Sequence, residues 1–241
     1  VTNALIERRG ATTGLLTTRG FRDVLELGIE QRYDIYDLFL RFPDPIVPRR
    51  RRIEITERIA HDGGIVAPLD AEAVRAAGAR LVAEGCTAIA ICFLHAYANP
   101  AHEKAAAAVL RAAFSGVSVS LSSEVAPEIR EYERSVTTCA NAFVQPLMDR
   151  YLGRLLRELD ALGFAGTLRL MQSDGGLCAP EVARAFPIRL LESGPAGGAL
   201  ATVLFARAAG LPDALAFDMG GTTAKACLIE NGRAEVAPMM E

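Results

Sequence analysis

Tryptophan is absent from this chain, and phenylalanine and tyrosine together make up only 6% of it. Charge of one sign is also lacking: 26 Lys and Arg against 29 Asp and Glu leave a net charge of −3, which argues against a general nucleic-acid binder. No apolar run is long enough to span a bilayer; residues 88–98 are too few and include His95. The five cysteines form no CxxC pair, and three of them sit in apolar runs, as buried reduced thiols of a cytoplasmic protein do. No signal peptide is recognisable, and the first residue is Val1 rather than methionine, so the expectation is that the true N-terminus lies further upstream. What remains is 241 residues, 51% of them hydrophobic, with a mean hydropathy of +0.21. That is ample core for one large domain or two small ones of an alanine-rich α/β protein.

The informative stretch is Phe217-Asp218-Met219-Gly220-Gly221-Thr222-Thr223. An apolar run, Ala214 to Phe217, leads into it. Ala224 to Ile229 follows as a second apolar run, and Asn231-Gly232 then marks a tight turn. A P-loop or a dinucleotide-binding turn is followed by a helix. Here the glycines lie between two strands, which suits another kind of phosphate cradle. Gly220 and Gly221 let backbone N–H groups approach phosphate oxygens, and Thr222 and Thr223 add hydroxyl donors. Asp218, expected at the end of a buried strand, offers the hard oxygen that a phosphate-bound Mg²⁺ takes. The alternative is an ordinary Gly-Gly turn. Ahead of the loop, Glu192-Ser193-Gly194-Pro195 opens a small-residue helix expected to run to Ala209 and stop at Gly210.

Upstream, the pattern is that of alternating strands and helices. Thr2 to Gly10 reads as a helix end, Thr12 to Thr18 as a strand, and Gly20 to Leu25 as a helix start. Arg49 to Arg52 runs into an alternating strand, Ile53 to Ile59, and is expected to be a solvated strand edge. Asp70 is a good N-cap for a helix reaching Gly85. Thr87 to Leu94 is nearly all apolar, as a strand covered on both faces is. Pro100 opens a helix to Phe114, and Val117 to Leu121 is a further strand. His102 and Glu103 are expected on the surface of the Pro100 helix, while His95 stays open as a substrate-facing residue. Ser122 to Arg134 starts a long helix with a bend expected at Pro146. There Glu124, Glu128 and Glu131 fall at i, i+4 and i+7, and if Pro127 opens the helix Glu128 and Glu131 share a face, either solvated or turned to substrate. Thr167 to Gln172 reads as a strand ending in Ser173-Asp174-Gly175-Gly176, and ligands bind α/β sheets at such ends.

The glycine-threonine loop resembles the second phosphate loop of the actin, sugar-kinase and heat-shock ATPase superfamily. Taken jointly, several stretches resemble the hydantoinase/oxoprolinase family in its A-type, ATP-using subunit. They are Thr2 to Gly10 with Thr17 to Val24, Phe93 to His95 with Asn99 to Glu103, Ser122 to Arg134, Met171 to Gly176, Leu191 to Gly198 and Phe217 to Lys225. The resemblance implies a two-lobed, ribonuclease H-like α/β fold, incomplete at both ends. Residues 1–122 would close an N-terminal hydantoinase/oxoprolinase domain, and 123–241 would open the A domain. The implied activity is ATP-dependent phosphorylation of a hydantoin, lactam, other cyclic amide or ketone carbonyl. ATP and Mg²⁺ (or Mn²⁺) would be the cofactors, and a B-type subunit would hydrolyse or carboxylate the activated substrate. Asp218 would hold the metal, with Gly194, Gly220, Gly221, Thr222 and Thr223 around the nucleotide. Asn3, His95, Glu128, Arg130, Glu131 and Asp174 are the substrate candidates that go with these stretches. A sugar or small-molecule kinase of the same superfamily, or an actin-like or chaperone-like binding module, are the alternatives. Family members carry a first phosphate loop upstream of Thr2 and continue past Glu241. This chain is therefore expected to be an internal fragment, inactive alone.

Overall fold

The computed structural model describes residues 1–29, 36–220 and 224–235. The chain divides into two compact units, one formed by Asn3–Leu155 and the other by Val1–Thr2 with Leu156–Glu241. A short helix α1 (Thr2–Ile6) comes first. The larger unit then runs through β1 (Thr13–Thr18), α2 (Val24–Leu27), a 3₁₀ turn at Arg49–Arg51, β2 (Arg52–Ile55), β3 (Arg58–Ile59) and β4 (Ile65–Ala67). It continues with α3 (Ala71–Ala83), β5 (Ala88–Cys92), α4 (Ala101–Ala113), β6 (Ser118–Leu121), α5 (Ser122–Val125) and α6 (Glu131–Ala161). Strands pair in the order β2-β1-β5-β6, all parallel, while β3 and β4 form a separate antiparallel pair.

The sheet is covered on both faces, and β5 explains how. Its sequence Ala-Ile-Ala-Ile-Cys is wholly buried, so apolar residues occupy both sides of the pleat. Ile89 and Ile91 join Leu16, Leu81, Leu110 and Leu121 in the cluster under α3 and α4. Ala88, Ala90 and Cys92 turn the other way and pack with Leu15, Cys139 and Ala142 of α6. The small side is what lets α6 lie close. Glycine serves the same end between helices: a Cβ on Gly78 would come within 2.5 Å of Leu110 and 2.6 Å of Phe114. Asp70 caps α3 as its sequence predicts, accepting from the N–H groups of Glu72 and Ala73.

The smaller unit holds the hairpin β7 (Leu170–Met171) and β8 (Leu177–Cys178), then α7 (Pro180–Ala185), a 3₁₀ turn at Pro187–Leu190 and α8 (Ser193–Ala208). It ends in β9 (Ala214–Met219), β10 (Ala224–Glu230) and β11 (Arg233–Ala234), an antiparallel sheet ordered β11-β10-β9. The Asn231-Gly232 turn has positive φ at both residues, 51° and 71°, as a two-residue hairpin requires. Ile229 is fully buried, whereas Leu215, Phe217 and Met219, alternate residues of β9, are exposed.

Two expectations change. The helix expected from Ser122 onward is two helices, with Pro127 and the positive φ of Arg130 (82°) between them. Glu124, Glu128 and Glu131 therefore do not share a helical face. Arg52 is not part of a solvated edge: its side chain is buried, paired to Glu26 at 3.0 Å and donating to the Val47 carbonyl. As expected, α6 continues through Pro146.

Candidate active site

The hairpin that carries the expected phosphate loop lies in the smaller unit. Gly220 follows β9 directly, and Gly221, Thr222 and Thr223 lie outside the described residues. Asp218 is in β9, but it is exposed rather than buried, which corrects the expectation of a desolvated carboxylate. The reason is its place one residue before the end of β9, at the turn end of the hairpin. Its cross-strand partner is Lys225 of β10, so the two side chains share a face. Lys225 is half-buried, and its ammonium pairs with the carboxylate of Glu192, the N-cap residue of α8. Glu192 has a left-handed backbone (φ 61°), and its N–H donates to Thr2 Oγ1 at 3.3 Å. Sequence reasoning missed Glu192 as a site residue; its signal was the position just before the glycines of the helix start. Gly194 is the second residue of α8, and a Cβ there would meet nothing within 4 Å, so its surroundings are open.

Among the described residues no cluster of three or more His, Cys, Asp or Glu is placed to hold a metal ion. Asp218 offers a carboxylate oxygen of the kind that Mg²⁺ takes beside nucleotide phosphates.

A second polar cluster lies in the larger unit, at the carboxyl ends of the four parallel strands, where α/β sheets bind ligands. Glu57 follows β2, Thr18 ends β1, Phe93 and Leu94 follow β5, and Ser122 and Ser123 follow β6. Glu57 is buried between two partners, Thr18 Oγ1, which donates to it, and His102 Nδ1 at 2.7 Å. Thr18 Oγ1 in turn accepts from the Leu94 N–H at 2.9 Å. Glu103 is fully buried and accepts from Phe93 N–H (2.9 Å), Ser122 Oγ (2.6 Å) and Ser123 N–H (2.8 Å). Burial pushes its carboxyl above the usual range, and these donors oppose the shift. Arg134, also buried, donates to the carbonyls of Phe93 (2.8 Å) and Glu128 (3.0 Å) and lies 5.5 Å from the Tyr97 ring centroid. The expectation that His102 and Glu103 are surface residues is thus wrong. Helix α4 uses its first turn to satisfy the ends of the strands.

His95 stands just beyond β5, half-buried, with a positive φ of 58°. Its Nδ1 meets the Ile59 carbonyl at 2.8 Å, and the Asn99 side chain donates to the Gly63 carbonyl at 2.8 Å. His95, Asn99 and His102 therefore fasten the loop after β5 to the segment from Glu57 to Gly63.

The other candidates are spread. Asn3 is exposed in α1. Glu128 and Arg130 lie in the segment between α5 and α6, and Glu131 is the first residue of α6; all three are exposed. Arg130 pairs with Glu133 at 3.6 Å. Asp174 turns the hairpin between β7 and β8, accepting from Gly176 N–H at 2.8 Å, and with Gln172, Ser173 and Arg189 it lines a cavity of about 300 Å³.

Comparison with known proteins shows the family of the chain. The model of the hydantoinase/oxoprolinase N-terminal region matches residues 1–114, and that of hydantoinase/oxoprolinase matches residues 134–241. The caprolactamase subunit alpha of Pseudomonas jessenii is 38% identical over 233 residues, 96% of this chain and 34% of that one. The acetophenone carboxylase gamma subunit of Aromatoleum aromaticum is 30% identical, over 94% of this chain and 32% of its own. The crystal structure of the ATP-dependent caprolactamase from P. jessenii superposes with a TM-score of 0.84 at 38% identity, covering 94% of this chain and 33% of that one. A nucleotide-free acetone carboxylase gives 0.84 at 26% identity, over 96% and 34%. The chain spans about one third of the length of these relatives. With both models matched along most of its length, the chain belongs to the hydantoinase/oxoprolinase family.

Proposed function

We propose that this chain carries the second phosphate loop and part of the substrate region of an enzyme that uses ATP to activate a cyclic amide, lactam, hydantoin or ketone carbonyl. The observation that carries the reading is the β9–β10 hairpin, which sets Asp218 beside Lys225 and Lys225 against Glu192 at the start of α8. Phosphoryl transfer asks a protein for positioning and charge neutralisation more than for covalent chemistry. Gly220 would let backbone N–H groups approach phosphate oxygens, Lys225 would offset their charge, and Asp218 would hold Mg²⁺ (or Mn²⁺). Bound Mg-ATP would supply the phosphoryl group that turns a carbonyl oxygen into a leaving group. A B-type subunit would then hydrolyse or carboxylate the activated substrate, as the caprolactamase and carboxylase names of the relatives suggest. Residues 1–122 would belong to the N-terminal domain and 123–241 to the ATP-using one, in a two-lobed actin-like architecture.

The test is ATP hydrolysis by the full-length protein, with and without its co-encoded partner, across lactams, hydantoins and ketones. Phosphate release should depend on one of these carbonyl compounds and give no stable phosphoester. A stable phosphoester formed without any partner would favour the kinase alternative and overturn the proposal.

A further inference from the structure

Asp218 and Lys225 stand directly opposite each other across β9 and β10, and yet they do not pair. Facing side chains of an antiparallel pair have Cβ atoms about 5 Å apart, near enough for opposite charges to meet. The Lys225 ammonium goes instead to Glu192, and the Asp218 carboxylate has no partner among the described residues. Three features of Glu192 bring this about. It is the N-cap of α8, where a side chain commonly accepts from the first free N–H groups of the helix, but its carboxylate caps nothing. Its backbone is left-handed (φ 61°) in a residue other than glycine, a conformation that persists where the surroundings impose it. Its N–H donates to Thr2 Oγ1, and α8 packs on β9 and β10, so a fixed backbone carries the carboxylate to the strand pair. With its side chain only 16% exposed, Glu192 holds the ammonium where solvent ions screen the attraction less than at an open surface.

We infer that Glu192 is a positioning residue that draws Lys225 away from Asp218 and so keeps the Asp218 carboxylate open to a divalent cation. The inference rests on the proposed metal role of Asp218 and adds the residue that protects it. The physics is a competition. A lysine paired with a carboxylate supplies its counter-charge and has to be displaced before a metal ion can bind. A second carboxylate that takes the lysine removes that step. Two carboxylates and one ammonium also leave one negative charge at the strand pair, which attracts a cation, whereas Asp218 and Lys225 alone would be neutral.

The experiment uses the full-length protein with saturating ADP and follows bound Mn²⁺ by the loss of the free-ion EPR signal, a readout that needs no turnover. Asp218→Asn sets the background. Glu192→Gln, which keeps the shape and removes the charge, should weaken Mn²⁺ binding about fivefold, the scale of displacing one partly exposed ion pair. Adding Lys225→Met should bring the affinity back to within about twofold of wild type, because no ammonium is left to compete and the two substitutions are coupled through it. An unchanged Mn²⁺ affinity in Glu192→Gln, with a lower melting temperature, makes the ion pair a strand-to-helix tie and overturns the inference. A double variant as weak as Asp218→Asn overturns it too, since Glu192 would then be a ligand of the ion, and that arm holds even if Glu192→Gln alone fails to fold. Mn²⁺ binding that survives Asp218→Asn unchanged is a third such result. If the expected pattern appears but no carbonyl compound stimulates ATP hydrolysis, the proposed function fails while the role of Glu192 stands. Carbonyl-dependent hydrolysis with a Mn²⁺ affinity indifferent to Glu192 is the reverse case.

Discussion

The two units solve the same problem, placing charge at the end of a sheet, in opposite ways. At the carboxyl ends of the parallel strands, Glu57, Glu103 and Arg134 are buried, and each is met by protein donors or acceptors. In the hairpin unit, Asp218 and the exposed β9 side chains face outward, and Lys225 has Glu192 as its partner. A site satisfied by its own protein is rigid without ligand; an open carboxylate beside an ion pair is what the proposed function would complete with a bound nucleotide. The comparison teaches that a buried polar group in this chain marks the scaffold, and on the proposed function an exposed charged group at the glycine loop is where a ligand would enter.

The sharpest way to break this contrast is at Glu103. Replacing it with Leu leaves three donors, Phe93 N–H, Ser122 Oγ and Ser123 N–H, without their acceptor in a dry site. Each buried unpaired group costs about 1–3 kcal/mol, so a loss of about 3–5 kcal/mol in chemical denaturation is expected. A loss below about 1 kcal/mol would mean that water reaches the strand ends. The carboxyl also makes a pH prediction. Because burial raises its pKa in the folded protein, the folded state binds the proton more tightly than the unfolded one. Its contribution is therefore fully present below the ordinary carboxylate value and is lost as pH rises toward the folded pKa. Glu103→Gln should remove that downward slope from the stability–pH curve.

Next in size is Asp218→Asn in the full-length enzyme. The change keeps the shape and removes the charge, and Asp218 sits in a strand, where a turn-forming role does not apply. Metal-dependent turnover should fall about a hundredfold, the scale of one preorganised electrostatic group, while denaturation is unaffected. Near-normal turnover with the same Mg²⁺ requirement would remove Asp218 from the site. Lys225→Met should have a smaller effect, about tenfold weaker binding of Mg-ATP by calorimetry, as for one charge partly screened by solvent. Unchanged affinity would leave Lys225 as a strand-to-helix tie.

The outline of the fold was legible because its elements carry period and punctuation. Asp70 and Pro100 announce helices, the wholly apolar 88–92 announces a covered strand, and Asn231-Gly232 announces a hairpin. The polar core was not legible, for a physical reason. On α4, Glu103 lies three, four and seven residues before the buried Ala106, Ala107 and Leu110, so it shares their face. In an alanine-rich helix, however, alanine occupies both faces and hides the period. On α6, Arg134, Thr138 and Asn141 form a buried face at i, i+4 and i+7 that no hydrophobic pattern can report. Glu124, Glu128 and Glu131 were misread for the opposite reason. Their spacing is helical, but Pro127 and the left-handed Arg130 interrupt the helix between them. Of the proposed phosphate loop, the sequence supplied the strand–glycine–strand order and missed Glu192, whose pairing depends on a partner 33 positions away, Lys225.

The smallest effect is expected at Asp70, and it sharpens the comparison from the scaffold side. Asp70 has an extended backbone (φ −90°, ψ 111°), and its carboxylate accepts from Glu72 N–H at 2.9 Å and Ala73 N–H at 3.3 Å, two of the groups that the first turn of α3 leaves unpaired. These bonds are exposed to water, so Asp70→Ala hands the N–H groups back to solvent instead of stranding them. The cost should be about 1 kcal/mol, several-fold less than at Glu103, although both carboxylates accept from the backbone at a helix or strand end. Asp70→Ser, which keeps a capping oxygen, should recover most of it. Denaturation of the three variants beside the Glu103 pair therefore separates burial from hydrogen-bond count as the origin of the scaffold's rigidity. Equal losses at the two sites would favour the count and undo the distinction drawn between the units.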